Sequence, residues 1–350
     1  MKILFIARTY PPLIGGMERF ASDFYNTLSK LTEMDLLANP RGKEYILPFY
    51  FKCFFFLMFK ARKYDIIHFN DATMAALIPA IRLFCRAKVT FTVHGLDILY
   101  EKFGYQRLIP ASLKKADWVF AVSRHARQLC MSKGIPPQKV SVIPNGINLE
   151  LVQHNTPGEI KAVLDKFGIN PNGRKVLFSV GRLIKRKGFA WFLENVFPLL
   201  PGDTIHIIAG RGAELSALKQ QVEGSVLEGR VFFPGYVTDE EKNCLYQAAD
   251  LFIMPNITSK NDPEGFGIVL LEAGIYGLPV VASRIEGIQD AVIEGVTGRL
   301  VPETDAQAFA AAILDPQIDR EGIIPAVTAS FDWKRIAQMY QQEFEQLTAA

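Results

Sequence analysis

Residues that build disulfide frameworks and metal sites are scarce in this chain of 350 residues. The five histidines are scattered, and the four cysteines form neither a Cys-x-x-Cys pair nor a cluster with histidine. The cysteines lie far apart, at Cys53, Cys85, Cys130 and Cys244. These absences argue against a disulfide scaffold and against a metal site, and they favour a reduced, cytoplasmic setting.

Long apolar runs are also absent. The first run, Ile3 to Ala7, is shorter than the roughly 7–15 apolar residues of a signal peptide, and no small-residue cleavage site follows it. The most apolar segment, Ile46 to Phe59, is interrupted by Lys52 and falls short of the roughly 18–20 residues that a membrane-spanning helix needs. The sequence therefore predicts a first β-strand at the N-terminus, and neither a signal peptide nor a transmembrane helix.

Acidic residues are fewer than basic residues in the first half of the chain but not in the second. The net charge of the whole chain is +3, but residues 1–155 hold 21 Lys+Arg against 11 Asp+Glu, whereas residues 156–350 hold 18 against 25. This asymmetry indicates that the first half meets something anionic. No recognisable module interleaves the basic residues with aromatic ones, so we expect no nucleic-acid partner.

Short runs rich in Val, Ile and Phe alternate with helical patterns along the chain. Such near-continuous runs are typical of strands buried on both faces of a parallel sheet, and their alternation with helices indicates right-handed βαβ units. The sequence therefore predicts two doubly wound α/β domains, divided where the pattern breaks near Leu149–Pro157. The predicted strands are Lys2–Ala7, Asp65–Phe69, Val89–His94, Val119–Ser123, Val140–Pro144, Val176–Gly181, Ile205–Ala209, Val231–Pro234, Leu251–Met254 and Pro279–Ala282.

The last segment of the chain predicts a helix with one broad apolar face after Asp332, a suitable N-cap. Its apolar residues recur at helical spacing, at Trp333, Ile336, Ala337, Tyr340, Phe344 and Leu347. An apolar face of this width needs a surface to cover, so we predict that the helix crosses back to the first domain. The predicted divisions are therefore 1–155, 156–330 and the helical segment 331–350.

Polar residues and glycines gather where the predicted strands end. Open α/β sheets bind ligands at the carboxyl ends of their strands, so these residues form the candidate site. In the first domain they are Gly15, Gly16, His94, Asp97, Ser123 and Asn145. In the second they are the loop GRLIKRKG, from Gly181 to Gly188, and the loop PNITSKNDPEGFG, from Pro255 to Gly267. If the two domains face each other, these ends converge on one cleft.

The loop GRLIKRKG carries two cations suited to phosphate. Arg182 offers a planar fork of donors to phosphate oxygens, and Lys187 offers a movable point charge. Gly15 and Gly16 would let backbone N–H groups approach a phosphate. Taken singly, a solvated basic turn and a tight glycine turn are the structural alternatives for these two stretches.

The stretch EGFGIVLLE places one glutamate before two glycines and another inside an apolar helix. Gly265 and Gly267 expose backbone donors at a helix start, which favours negative charge. Glu264 would repel phosphate but suits the hydroxyls of a sugar, and Glu272 suits a diol such as a ribose. The combination predicts a nucleotide sugar. The structural alternative is a solvent-facing Glu264 and a Glu272 that pairs with a cation of the core.

Motifs along nearly the whole chain together resemble the retaining glycosyltransferases of family 4, which have the two-domain GT-B fold. The matching stretches are the N-terminal strand and GG loop, HGLD, AVSRHA, VIPNGIN, GRLIKRKG, FFPGYV, AADLFIMPN, PEGFGIVLLEA, GLPVVAS and VTGRLVP. The spacing of Glu264 and Glu272 is the E-x7-E motif of that family. The resemblance implies two Rossmann-like domains facing a cleft, with the acceptor in the first domain and the nucleotide sugar in the second.

The resemblance also implies a role for each candidate residue. Arg182 and Lys187 would neutralise the donor diphosphate, while Glu272 would hold the ribose. The implied catalytic residues are His94, Arg182, Lys187 and Glu264. The implied donor-binding residues are Gly15, Gly16, Gly181, Arg182, Lys187, Tyr236, Glu264, Gly265, Phe266, Gly267 and Glu272. The implied residues on the acceptor side are Asp97, Ser123 and Asn145.

The implied reaction is the metal-independent transfer of a sugar with retention of configuration, and the sequence contains no Asp-x-Asp pair. The expected donor is a UDP- or GDP-sugar. The expected acceptor is a glycan, a lipid-linked molecule or a small molecule, in the synthesis of surface polysaccharide or glycolipid. A nucleotide-sugar epimerase of the same fold and a non-catalytic partner protein remain the alternatives. A Rossmann dehydrogenase is not favoured, because TYPPLIGG rather than GxGxxG follows the first strand.

The apolar segment Phe49–Phe59 predicts a helix before the strand that begins at Asp65. Basic residues accompany it, at Lys52, Lys60, Arg62 and Lys63. One interpretation is a packed helix of the first domain. The other is a face that touches an anionic membrane, since peripheral binding needs apolar and basic groups together. That interpretation would place the protein on the inner face of the cytoplasmic membrane.

Overall fold

The computed structural model describes residues 1–349, apart from the side chain of Leu151. The chain divides into two compact units. The first unit comprises Met1–Ile147, Asn261–Phe266 and the C-terminal segment from Phe331. The second comprises Asn148–Lys260 and Gly267–Ser330. Each unit contains one six-stranded sheet in which every strand pair is parallel.

The sheet of the first unit has the strand order β2-β1-β3-β4-β5-β6. Its strands are β1 (Lys2–Ala7), β2 (Glu33–Ala38), β3 (Ile66–Phe69), β4 (Lys88–Val93), β5 (Trp118–Ala121) and β6 (Val140–Val142). The helices of this part of the chain are α1 (Gly16–Leu28), α2 (Ile46–Lys60), α3 (Ile78–Phe84), α4 (Leu96–Leu99), α5 (Tyr105–Leu113) and α6 (Arg124–Ser132). Strands and helices alternate because each parallel pair needs a crossover connection.

The sheet of the second unit has the order β12-β11-β10-β7-β8-β9. Its strands are β7 (Lys175–Val180), β8 (Thr204–Ala209), β9 (Val231–Gly235), β10 (Leu251–Met254), β11 (Val280–Ser283) and β12 (Gly298–Val301). The remaining helices are α7 (Pro157–Lys166), α8 (Phe189–Asn195), α9 (Leu215–Val222), α10 (Asp239–Ala248), α11 (Ile268–Ile275), α12 (Ile288–Ala291), α13 (Ala306–Leu314), α14 (Arg320–Phe331) and α15 (Trp333–Ala349). No helix within residues 1–349 is both long and apolar enough to cross a membrane.

The predicted α/β fold with two doubly wound sheets is confirmed, and each of the ten predicted strands is present. Two strands were missed, β2 and β12. Both lie at the edge of their sheet, where one side of the strand has no neighbour. The β2 segment EMDLLA carries two acidic residues, and only two of its six residues are buried. The continuous apolar run that marks a central strand is therefore absent from it.

The prediction that the last helix returns to the first domain is also confirmed. The N–H of Ile147 donates to the carbonyl of Phe331, and α15 then packs along α1. Asp332 accepts from the N–H of Lys334 at the start of α15, as expected of an N-cap. The buried residues of this helix are Trp333, Ile336, Ala337, Tyr340 and Phe344.

The second unit begins earlier than the predicted division at residue 155. The N–H of Asn155 donates to Gln247 Oε1 at 3.0 Å, and Gln247 Nε2 donates to the side chain of Asn155 at 2.7 Å. Gln247 lies on α10 of the second unit. These bonds tie the segment from Asn148 to that unit, so the boundary follows Ile147.

Each sheet contains one fully buried histidine. His68 on β3 lies between the hydroxyls of Thr90 and Thr92, at 2.8 and 3.1 Å. His206 on β8 lies 2.9 Å from the hydroxyl of Ser179. Burial lowers the pKa of each imidazole to about 3, since a charged ring would lose its hydration. Both rings are therefore neutral in the folded protein above that pH.

These histidines predict acid sensitivity. At a pH between about 3 and 6.5 the unfolded chain binds a proton at each histidine that the folded chain does not bind. Stability is therefore complete above pH 6.5 and falls by about 1.4 kcal/mol per pH unit for each histidine below it. Melting temperatures measured from pH 7.5 to 4.5 should fall more steeply in the parent than in His206→Phe.

The control for this prediction is His154→Gln, because His154 is exposed. We expect its melting temperature to follow the pH dependence of the parent. Equal slopes for the parent and for His206→Phe would contradict the account, because the buried ring would then contribute nothing to acid unfolding.

Candidate active site

The carboxyl edge of the first sheet holds His94, directly after β4. Its Nε2 lies 2.9 Å from the carbonyl oxygen of Asn70, which follows β3, and its ring packs edge-on against Phe20 of α1. The N–H of His94 donates to Asp97 Oδ1 at 2.9 Å. These three contacts fix both the ring and the backbone of His94, which is half-buried.

Asp97, predicted on the acceptor side, is almost completely buried. Its second carboxylate oxygen accepts from the N–H of Ala72 at 2.9 Å. Burial raises the pKa of this carboxyl above its usual value, and the nearby His94 and the two backbone donors offset only part of that rise. The carboxylate is thus used to hold the turn after β4 against the segment after β3, and it positions His94.

Ser123 and Asn145 end the next two strands of the same sheet. The hydroxyl of Ser123 is buried and accepts from the N–H of Ala126, so it caps α6. Asn145 Oδ1 is buried without a hydrogen-bond partner. Asn70, which the sequence did not single out, is fully buried, and neither Oδ1 nor Nδ2 of its amide has a partner. Buried amide groups of this kind are commonly satisfied by an ordered water.

A second group of residues missed from the sequence lies beside Asn70. Asp71 is fully buried and accepts from Arg8 Nε at 3.1 Å and from the N–H of Thr73 at 2.9 Å. The carbonyl of Thr73 accepts from the hydroxyl of Tyr50 at 2.5 Å, which ties α2 to this edge. Arg8 follows β1 directly, so a cation and two polar residues mark the ends of neighbouring strands.

Gly15 and Gly16, the N-cap and the first residue of α1, were predicted to approach a diphosphate. A Cβ at Gly16 would meet no atom within 4 Å, so this backbone is open. A Cβ at Gly15 would lie 2.3 Å from Glu18 Oε2, which places a carboxylate in the first turn of α1. An acid there opposes the approach of an anion unless the side chain turns away.

The segment Asn261–Phe266 belongs to the first unit and carries Glu264, which is half-buried. A Cβ at Gly265 would lie 2.1 Å from the carbonyl oxygen of His94, so the two backbones are in direct contact. Phe266 is almost fully buried, and its ring packs against Phe331 at 6.1 Å. The structure therefore places the loop of Glu264 against the turn of His94, and the buried ring of Phe266 anchors that loop.

This contact predicts a strong effect of a single methyl group. Gly265→Ala would push the loop of Glu264 away from His94, because the clash is with a backbone carbonyl that cannot rotate aside. For the catalytic role that the resemblance implies for Glu264, we expect kcat/KM to fall about tenfold or more, because small displacements of a catalytic group are costly. Gly202→Ala is the control, because a Cβ at Gly202 meets nothing within 4 Å. Equal activity of the two variants would contradict the placement of the Glu264 loop beside His94.

In the second unit, the loop from Gly181 to Gly188 follows β7 and brings Lys187 to the carboxyl edge of the sheet. Gly188 has a left-handed φ of 69°, and a Cβ there would lie 1.9 Å from the carbonyl oxygen of Pro255. Only glycine allows this turn. Lys187 is 8% exposed, and a Cβ at Gly181 would lie 3.6 Å from its Cε and 3.9 Å from its Nζ.

The two predicted cations of this loop differ in their surroundings. Arg182 is exposed, whereas Lys187 is buried. The neighbouring Arg186, which the sequence analysis did not single out, is equally buried, and its carbonyl accepts from the N–H of Ile257 at 2.9 Å. That bond joins the loop after β7 to the loop after β10. A cation that is partly removed from water stabilises a nearby anion more strongly than an exposed one.

Glu272 on α11 is 5% exposed and has two partners on α10. Its Oε2 accepts from the hydroxyl of Tyr246 at 2.9 Å and lies 3.2 Å from Lys242 Nζ. Lys242 also pairs with Asp239 at 3.0 Å. Lys242 and Tyr246 are four residues apart and therefore share one face of α10. The buried carboxylate is thus compensated inside the protein, by a lysine and a tyrosine that the sequence analysis missed.

Tyr236 follows β9 at the same edge and is 49% exposed. The guanidinium of Arg211, which follows β8, lies 5.2 Å from the centre of its ring. An exposed aromatic ring with a stacked cation suits an aromatic base. Arg211 was not among the predicted residues, because nothing in its immediate sequence marks it.

The described residues do not form a metal site. Among residues 1–349, no group of three or more His, Cys, Asp or Glu side chains is arranged to hold a metal ion. The charged groups at the carboxyl edges of the two sheets are instead single carboxylates, lysines and arginines.

Two family models match the chain. "Glycosyltransferase Family 4" matches residues 14–151, and "Glycosyl transferases group 1" matches residues 162–321. The first match lies in the first unit except for its last few residues, and the second lies in the second unit except for the short segment around Glu264.

Three curated relatives are 26 to 29% identical to this chain. An uncharacterized glycosyltransferase of Methanocaldococcus jannaschii is 26% identical over 99% of both chains. An amylovoran biosynthesis glycosyltransferase of Erwinia amylovora is 27% identical over 76% of this chain and 64% of that protein. A GDP-mannose-dependent alpha-(1-6)-phosphatidylinositol monomannoside mannosyltransferase of Mycolicibacterium smegmatis is 29% identical over 70% of this chain and 64% of that protein.

A solved structure shares the fold. HepE from Anabaena, in complex with UDP and glucose, matches with a TM-score of 0.76 and 24% identity over 99% of this chain and 100% of that chain. Together with the two family models, this likeness confirms the predicted GT-B architecture. Because the family matches cover most of both units, the chain belongs to the glycosyltransferases of the GT-B type.

Proposed function

We propose that this glycosyltransferase moves a hexose from a UDP- or GDP-sugar to a glycan or lipid-linked acceptor, without a metal ion and with retention of configuration. The main support for this proposal is the buried Lys187, which Gly188 and Gly181 hold at the carboxyl edge of the second sheet. A lysine in that position is suited to a diphosphate, because strand ends are where open α/β sheets bind ligands.

The donor class follows from the groups around this lysine. Arg182 adds a second cation, Glu272 offers carboxylate oxygens to a ribose, and Tyr236 offers an exposed ring to a base. The solved complex of HepE with UDP and glucose supports a uridine donor, and the GDP-mannose-dependent mycobacterial relative supports a guanosine donor.

We place the acceptor in the first unit. The half-buried Arg8, paired with Asp71, lies at its strand ends, and the net charge of +10 in residues 1–155, most of which belong to this unit, suits an anionic acceptor. The lipid named in the mycobacterial relative, a phosphatidylinositol monomannoside, and the amylovoran biosynthesis named in the Erwinia relative support a role in glycolipid or surface polysaccharide synthesis.

In the proposed mechanism, the acceptor hydroxyl attacks the anomeric carbon on the face from which the diphosphate leaves. The leaving oxygen takes the proton of that hydroxyl. Lys187 and Arg182 stabilise the charge that grows on the β-phosphate, which is an electrostatic effect of the kind that dominates many enzymes. Glu264 and His94, whose backbones are in contact through Gly265, hold the transferred sugar.

A panel of nucleotide sugars tests this proposal. The protein is incubated with each donor in EDTA, with and without candidate acceptors, and products are followed by proton NMR. The proposal expects release of one nucleoside diphosphate and a product with the anomeric configuration of the donor sugar. An intact nucleotide sugar with an altered sugar would instead indicate an epimerase, and an inverted product or strict dependence on a metal ion would contradict the proposed mechanism.

A further inference from the structure

Helix α2 is apolar on two opposite faces. One face is formed by Phe49, Cys53 and Leu57, which are at most 4% exposed and pack into the first unit. The opposite face is formed by four residues at i, i+4 spacing, which we name the outer stripe. They are Leu47, Phe51, Phe55 and Phe59, with exposed fractions of 67, 58, 53 and 74%. A surface helix of a globular protein normally carries polar residues there, so folding of this chain does not explain the outer stripe.

Cations surround the outer stripe at both ends. Between positions 41 and 63 there are six basic residues and one acidic residue, Glu44. The basic residues are Arg41, Lys43, Lys52, Lys60, Arg62 and Lys63, and all are exposed. Apolar side chains bordered by lysine and arginine are typical of helices that lie in the interface of an anionic membrane.

A basic cleft lies where α2 ends. It has a volume of about 670 Å³ and is lined by Arg62, Arg82, Arg86 and Lys88, together with Asp65 and the exposed Leu83. Arg82 already pairs with Asp117, and Asp65 accepts from the N–H of Lys2. Arg86 and Lys88 form no ion pair within the described residues 1–349, so this end of the cleft keeps a positive charge that suits an anionic headgroup.

The outer stripe extends from this cleft toward the carboxyl edge of the first sheet, where His94 lies. Strand β2 ends at the carboxyl edge of the sheet and β3 begins at the amino edge, so α2 runs from the edge of His94 to the cleft. Its 15 residues span about 22 Å, which is too short to cross a bilayer but suits a helix lying flat. The bond from Tyr50 to Thr73 fixes the start of α2 to the segment after β3.

We propose that the outer stripe docks the first unit on an anionic phospholipid bilayer, with α2 in the plane of the interface and headgroups in the basic cleft. A second copy of the chain is the other occupant that an apolar face could have. Charge favours the bilayer, since a symmetric contact through this face would bring the cations of both copies together. The inference does not depend on the identity of the donor or of the acceptor.

Vesicle sedimentation tests the proposal without any substrate. Full-length protein is mixed with vesicles of phosphatidylcholine alone or of phosphatidylcholine with phosphatidylglycerol, at low and high salt. We expect sedimentation with the anionic vesicles, weakened by salt, and at least about tenfold weaker for the triple variant Phe51→Ser, Phe55→Ser, Phe59→Ser. The matched control changes three exposed apolar residues of the second unit, Leu199→Ser, Val226→Ser and Leu314→Ser, and should sediment as the parent does.

A charge variant separates the two parts of the surface. Arg62→Gln with Arg86→Gln should weaken binding to anionic vesicles by several fold, while the apolar stripe is intact. Circular dichroism should show all variants folded, because the changed side chains are exposed. The proposal is overturned if the parent does not sediment with anionic vesicles, or if the triple variant binds them as well as the parent. It is equally overturned if light scattering shows that the parent is a dimer and the triple variant a monomer, while the parent does not bind vesicles.

Discussion

Lys187→Ala is expected to lower kcat by about 10²–10³-fold, which is the usual cost of removing one preorganised group that meets developing charge. The lysine is buried at the carboxyl edge of the second sheet, so its charge acts at low dielectric constant and is already in place when the diphosphate leaves. The diphosphate is already charged in the bound donor, so KM for the donor should rise as well. The larger effect is expected on kcat, because further negative charge develops on the β-phosphate in the transition state. Initial rates at several donor concentrations give both quantities.

Two neighbouring lysine and arginine residues provide controls for this prediction. Lys185→Ala removes an exposed cation of the same loop and should leave kcat close to that of the parent. Arg182→Ala should lower kcat by a smaller factor than Lys187→Ala, since Arg182 is exposed and its charge is screened by water. If Lys185→Ala and Lys187→Ala reduced kcat equally, the loop would contribute only general positive charge, and the specific role of Lys187 would be wrong.

Glu272→Gln is expected to weaken donor binding by about 10- to 100-fold, because a hydrogen bond to a charged group contributes roughly 1.5–3 kcal/mol. The glutamine keeps the size of the side chain but loses the carboxylate that we propose for the ribose diol. The pairs with Tyr246 and Lys242 hold the carboxylate in one orientation, so the group is preorganised for a ligand. Titration calorimetry with the nucleoside diphosphate measures the change in Kd.

Lys242→Met separates the binding role of Glu272 from its structural role. Removing Lys242 leaves a buried carboxylate without its ion pair, so the melting temperature should fall. Tyr246 still donates to the carboxylate and the groups that would meet the ribose are unchanged, so Kd should rise by a clearly smaller factor than in Glu272→Gln. If Lys242→Met lost as much affinity as Glu272→Gln, or if Glu272→Gln bound as the parent does, Glu272 would serve the fold of the second unit alone.

The sequence predicted the central strands well because they are buried on both faces. Strand β8 contains only apolar residues after Thr204, apart from His206, and all six of its residues are buried, as expected of a strand that is covered on both faces. The edge strands β2 and β12 differ, since one side of each faces no other strand and polar residues are tolerated there. Their existence depends on the neighbour with which they pair, which lies elsewhere in the chain.

The sequence singled out candidate site residues but not the contacts that support them. His94, Lys187 and Glu272 stood out because of glycines or apolar residues beside them. Lys242 and Tyr246 did not, since a lysine and a tyrosine on an ordinary helix have no local signal of the carboxylate they meet. Pairing across helices depends on the packing of α10 against α11, which periodicity alone does not determine.

Some predicted residues have a structural use that their sequence position concealed. Ser123 and Asp97 follow strands, where ligands commonly bind, but the hydroxyl of Ser123 caps α6 and the carboxylate of Asp97 holds two backbone N–H groups. Phe266 lies between two glycines of a motif, yet its ring is buried against Phe331. Strand ends must satisfy their own backbone groups before they can serve a ligand.

The most direct test of the central claim is titration calorimetry of the parent protein with UDP and with GDP in EDTA, alongside Glu272→Gln. The account predicts that one of these nucleotides binds without a metal ion and that the variant binds it about 10- to 100-fold more weakly. Absence of binding by both nucleotides, or equal binding by the parent and the variant, would contradict the proposed donor site in the second unit.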